Sequence, residues 1–67
     1  MNITEQDKRQ VADTIARWVA KRQSAKRLGD KLEQLQYSGW LYAAWIILGD
    51  IGLDDMAELA RKEGDGT

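Results

Sequence analysis

The side chains able to do chemistry in this sequence are of few kinds: eleven carboxylates, ten Lys or Arg, three Trp and two Tyr, with no His and no Cys among 67 residues. Without His or Cys there is no imidazole base, no thiolate nucleophile and no Ser-His-Asp triad. The commonest metal ligands are missing with them, so no catalytic residue, no metal site and no cofactor is expected. Paired carboxylates could still act as acid and base, but a chain this short has little room for a concave, supported cleft. Asp54, Asp55 and Glu58 cluster where a helix should start, and capping together with the helix dipole accounts for them. Gly49-Asp50-Ile51-Gly52 lacks both the spacing and the Lys of a phosphate-cradling loop. The sequence predicts a protein that is not an enzyme.

What remains is the chemistry of recognition. Arg17, Lys21, Arg22, Lys26, Arg27 and Lys31 spread around much of a helix circumference, and no aromatic residues interleave with them as stacking platforms. The pI of about 5.2 also argues against nonspecific nucleic-acid binding. A solvated face with intersubunit ion pairs is the preferred role for these cations, ahead of binding an acidic protein surface and well ahead of DNA or RNA. Tyr37, Trp40, Tyr42 and Trp45 form an aromatic-rich segment of the kind that anchors interfaces, or that fills the core of a dimer seam. Both roles hold together if Trp40 points inward, Tyr42 and Trp45 line a groove, and Tyr37 sits at its rim. The expected partner contacts are Tyr37, Tyr42 and Trp45 as apolar anchors, with Arg17, Arg22 and Lys26 as charge complements.

The elements that must position these residues are helical. Thr4 is a good N-cap, and Asp7 three residues on resembles a capping box. Val11, Trp18, Ala25 and Leu32 recur every seven residues; Ile15 lies beside the first two, Leu28 and Leu35 beside the last two. A stripe whose companion shifts in this way either winds around one long helix or marks a break at which each half meets a different neighbour. One helix over about 5–36 is favoured, and Gly29-Asp30 with Glu33 three residues on is where a kink or break would fall. Arg22 and the small Ala25 leave the centre of the stripe poorly filled.

Ser38-Gly39 predicts a stop, with Ser38 as the N-cap of a second helix over about 39–48 that closes at Gly49. Trp40, Ala43, Ala44 and Ile47 form one face of that helix; Leu41, Tyr42, Trp45 and Ile46 form the other. A single amphipathic partner covers only one. Asp50-Ile51-Gly52 predicts a loop, Asp54 the cap of a third helix ending near 63, and residues 64–67 a frayed end.

A single domain of 67 residues buries only about 60% of the surface its unfolded chain exposes, and small domains are commonly held by disulfides, metals or association. Only association remains here. Exposing Leu41, Trp45 and Ile46 would forgo about 1.5–3 kcal/mol for each large side chain and leave an adhesive patch. The predicted fold is therefore all-α, a long N-terminal helix and two short ones, forming an intertwined or antiparallel homodimer with Val11, Ile15, Trp18, Leu41 and Ile46 at its interface. Charge is split between the halves: residues 1–31 hold eight Lys or Arg against four Asp or Glu, and residues 32–67 hold two against seven, a pattern that could steer two antiparallel chains together or present a basic face to an acidic partner.

Met1-Asn2-Ile3-Thr4-Glu5 lacks the basic start and apolar run of a signal peptide. The longest apolar run, Trp40 to Leu48, spans nine residues, where a membrane span takes about 20. A cytoplasmic protein with no membrane partner is expected.

In length, helical layout and the segment Tyr37-Ser-Gly-Trp40-Leu-Tyr-Ala-Ala-Trp45, the chain resembles the phage-encoded quorum-sensing anti-activators. These are small dimers that bind a LuxR-type transcription activator and, in some members, the type IV pilus assembly ATPase. The resemblance implies an inhibitor in a bacterial host that occupies a DNA-binding or assembly surface of a regulatory protein; it transfers no residue roles. The alternative is a small dimeric DNA-binding regulator or antitoxin-like protein, suggested by the basic first half. Against it, the helix that would enter the groove begins Asp54-Asp55, which phosphates repel.

Overall fold

The computed structural model describes residues 3–65, which form three helices and no strand: α1 (Glu5–Leu28), α2 (Lys31–Asp50) and α3 (Asp54–Asp65). Met1, Asn2, Gly66 and Thr67 lie outside the described residues, and the fraying expected of the last two lies there with them.

The capping box forms as the sequence predicts. The Asp7 amide donates to Thr4 Oγ1 at 3.1 Å and the Thr4 amide to Asp7 Oδ2 at 3.0 Å. The first helix, however, ends at Leu28 and does not run on to 36. Gly29 adopts the left-handed conformation at φ 73°. Its amide donates to the Lys26 carbonyl at 3.2 Å, and the Asp30 amide to that of Ala25 at 2.9 Å. These are the two bonds of a Schellman stop, for which only glycine has no steric penalty. Asp30 at once caps the next helix, accepting from the Glu33 amide at 3.0 Å. The chain thus reverses within two residues, and α1 and α2 form a hairpin.

Ser38-Gly39, expected to separate two helices, lies inside α2, which begins at Lys31 and passes Gly49 to end at Asp50. Glycine in a helix interior weakens it by about 1 kcal/mol, less than the packing of α2 returns. A second Schellman stop comes after it: Gly52, at φ 87°, donates to Gly49, and Leu53 to Leu48 at 2.9 Å. Asp54 is the first residue of α3, where the sequence predicts its cap; the Leu53 carbonyl accepts the first bond, from Ala57. Gly64 is not frayed but helical.

The central element is α2, packed against both α3 and α1, while α1 and α3 touch less. The core is small: Ile15, Leu41, Leu48, Leu53, Ala57 and Ala60, with Val11, Trp18 and Leu59 among the half-buried residues around it. Small residues let α3 approach α2 closely. A Cβ at Gly49 would lie 3.9 Å from that of Ala57, and one at Gly64 would lie 3.7 Å from that of Leu41.

Arg22, expected as a partner contact in a badly filled stripe, is 2% exposed and fills the interior. Its Nη2 donates to the Glu63 carbonyl at 2.6 Å and its Nη1 to the Gly64 carbonyl at 3.2 Å. The last carbonyls of a helix lack intrahelical donors and carry partial negative charge. A guanidinium from α1 therefore serves as the C-terminal cap of α3, which is why α3 runs on through Gly64. No buried side-chain polar atom among the described residues is left without a partner.

Ile15 and Leu41, expected at a dimer interface, are in fact 2% and 0% exposed inside the single chain. Broken at Gly29, the first helix folds back, and these two residues join one core within the single chain. Val11 and Trp18 are half-buried on its flank, and Ile46 alone of the five is well exposed.

Candidate functional site

The fold leaves most of the outer half of α2 bare. Leu41 and Leu48 face the core, but Trp40, Tyr42, Trp45, Ile46 and Ile47 are all exposed, Ile47 by 59% and Tyr42 by 60%. Further toward its start, Leu32 and Leu35 are exposed by 83% and 68%. Both faces that the sequence assigns to this helix are thus partly open, because α1 and α3 share a single side of it.

Three apolar features result. The first is a groove of about 430 Å³ between α1 and α2, floored by Val11, Ile15, Trp18, Ala44, Ile47 and Leu48, with Asp7, Gln10 and Thr14 on its α1 rim. It runs into a cleft of about 300 Å³ lined by Trp18, Trp40, Ala43, Ala44 and Ile47. Trp40 does not point inward. It forms the cleft wall, tilted against Trp18 at a centroid distance of 5.5 Å and edge-on to Tyr37 at 5.0 Å. Both spacings are favourable for aromatic pairs. Tyr37 is half-buried in this contact and braces Trp40.

The second feature is a groove of about 330 Å³ between α2 and α3, lined by Ser38, Leu41, Tyr42, Trp45, Ala60, Arg61 and Gly64. Tyr42 and Trp45 stand edge to face there at 5.6 Å. Arg61 on its rim hydrogen-bonds Glu58, Nε to Oε2 at 3.0 Å, and this bond and the charge behind it hold the Glu58 carboxyl below its ordinary pKa. An exposed pair of this kind orders the rim and adds little stability. The third feature is the ridge Leu32, Leu35, Tyr42 and Ile46 along the solvent side of α2.

The cations expected beside the aromatic anchors do not assemble. Arg22 is internal. Arg17 and Lys26 are exposed, but nine residues on one helix place them half a turn apart, on opposite flanks of α1. What the sequence does not reveal is the α1 contribution to the aromatic cleft: Trp18 meets Trp40 only because the chain reverses at Gly29.

No group of His, Cys, Asp and Glu able to hold a metal ion occurs among the described residues, and no helix among them is long and apolar enough to cross a membrane. Compared with protein-family models, curated proteins and solved structures, the chain matches none.

Proposed function

We propose that this chain is a non-enzymatic, protein-binding inhibitor that acts as a homodimer and blocks a regulatory protein of a bacterial host. The observation that carries this is the exposure of five large apolar side chains between Trp40 and Ile47 on a rigid helix, beside grooves the right size for another protein's side chains. Such patches on small proteins mark interaction surfaces. An amphipathic helix of the partner, laid in the groove between α1 and α2, would bury Trp18, Trp40 and Ile47 as anchors. The resemblance to phage anti-activators supplies the class of partner, a LuxR-type activator, with the pilus assembly ATPase as a second. Tyr37 braces Trp40 at this surface, and Tyr42 and Trp45 offer further anchors in the separate groove between α2 and α3.

The test uses purified proteins. The chain should co-elute with a LuxR-type activator in size-exclusion chromatography and give a saturable binding isotherm. Ile47→Asp should weaken that binding at least tenfold, since a carboxylate would be desolvated against the partner (at least about 1.4 kcal/mol). Because Ile47 is 59% exposed, the variant should keep its circular dichroism, with a loss of stability of about 1 kcal/mol from a carboxylate in the last turn of α2. Absence of binding to either target, or binding unaffected by Ile47→Asp, would refute the proposal.

A further inference from the structure

The outer ridge of α2 has a pattern the grooves do not share. Leu32, Leu35, Gly39, Tyr42 and Ile46 are spaced three, four, three and four residues apart, the rhythm of a coiled-coil seam. The middle position of the seam is a glycine, and a Cβ built there meets nothing within 4 Å, so the chain's own packing gives no reason for it. A glycine at the centre of an exposed apolar seam is what close backbone approach of a second helix requires.

The seam is also symmetric about Gly39. Leu32 and Ile46 lie seven residues to either side, and Leu35 and Ala43 four residues to either side. Charge selects the orientation. Around the start of α2 Lys26, Arg27 and Lys31 outnumber Asp30 and Glu33, whereas Asp50, Asp54 and Asp55 make its end wholly acidic. Pairing two copies in parallel sets the two acidic ends together, whereas antiparallel pairing sets each acidic end against the other copy's net-positive one. Surface area agrees. The chain exposes 4922 Å², roughly 600 Å² more than the about 4,300 Å² expected of a compact monomer of its mass, and a standard interface takes about 800 Å² from each partner.

We infer that the ridge of α2 is the self-association face of this protein, on which a second copy lies antiparallel across a two-fold axis at Gly39. The register presupposes the proposed self-association but not the proposed host target. In it each copy covers the other's Leu32 with its Ile46, an isologous contact that closes as a dimer. The groove between α1 and α2 stays open for the partner, while the groove between α2 and α3 shares Tyr42 with the seam.

Because the chain has no Cys, single-cysteine variants report cleanly. Leu32→Cys and Ile46→Cys, both at exposed positions, are oxidised separately and as an equimolar mixture, with sedimentation of the unmodified chain alongside. The expected result is a disulfide-linked dimer in the mixture and little in either variant alone. Cross-linking of each variant alone would show parallel pairing and overturn the register. A sedimenting dimer with no cross-link in any sample would place self-association on another face and overturn the ridge while leaving the dimer standing. A monomer throughout, with Leu32→Cys protected from labelling only when a target protein is bound, would assign the ridge to the target and overturn both. Gly39→Leu gives the second readout. It should leave circular dichroism unchanged and raise the dimer Kd at least tenfold; an unchanged Kd would rule out close crossing at Gly39.

Discussion

Arg22→Ala is expected to destabilise the chain by about 2–4 kcal/mol in urea unfolding followed at 222 nm, from lost charge-assisted hydrogen bonds and the cavity left behind. For a domain of 67 residues, whose whole stability is on the order of 3–10 kcal/mol, that removes a large share. The side chain has three functions at once. Its methylene stem fills the space between α1 and the end of α3, its two nitrogens satisfy the Glu63 and Gly64 carbonyls, and its charge opposes the negative end of the α3 dipole. Two further variants separate them. Arg22→Met keeps most of the volume and loses the donors, so it should fall between wild type and alanine. Arg22→Lys keeps the charge, but its compact ammonium cannot serve both carbonyls with the fork geometry of a guanidinium, and it too should be intermediate. If alanine shifts stability by less than about 0.5 kcal/mol, the effect ordinary at an unremarkable surface site, Arg22 does not hold α3 in place.

Arg22 also shows which parts of the molecule are legible in the amino-acid order. A cation inside an apolar stripe looks like a defect when only its neighbours on the helix are considered. Its partners are 41 and 42 residues away, and nothing local to Arg22 announces them. The capping box at Thr4 and Asp7 is legible because every participant lies within one helical turn. The two open faces of α2 are legible because helical periodicity assigns them without reference to the rest of the chain. The break at Gly29 is an intermediate case. Gly29, Asp30 and Glu33 carry the signal for it, yet the seven-residue recurrence of Val11, Trp18, Ala25 and Leu32 runs straight through and argues for continuity. The structure resolves the conflict: Val11, Trp18 and Ala25 turn toward the core, while Leu32 is 83% exposed and belongs to the outer ridge. One recurrence spans two faces with different neighbours.

The opposite error, a stop at Ser38-Gly39, has the same origin. Gly29 stops a helix because the turn behind it lets Leu41 and Ile15 share one core, and Asp30 is ready to cap α2. A stop at Gly39 would remove backbone hydrogen bonds from the middle of the element that holds the core together. Local propensity at the two glycines is alike, and tertiary packing decides between them.

That conflict at Gly29 has a consequence that can be measured. The hairpin is held open to one arrangement by two residues, a glycine in the left-handed region and an aspartate at an N-cap. Gly29→Ala places a Cβ in a conformation that disfavours it by about 1–2 kcal/mol, and Asp30→Ala removes a cap worth about 0.5–2 kcal/mol. Together they load roughly 1.5–4 kcal/mol against the turn while both alanines favour continued helix. A single helix from Glu5 to Asp50 would carry Ile15 and Leu41 far apart, at about 1.5 Å per residue, and expose both. The apolar surface so released can be covered again only by another chain, with α1 of one copy docked on α2 and α3 of the next. The double variant is therefore expected to convert to a domain-swapped dimer, with ellipticity at 222 nm unchanged or increased and a hydrodynamic radius larger than wild type at equal concentration. Tm should become concentration-dependent, or more steeply so. A variant that keeps the wild-type radius and merely loses a few degrees of Tm would show that the hairpin is fixed by the core that Ile15, Leu41 and Ala60 share, whatever the turn prefers.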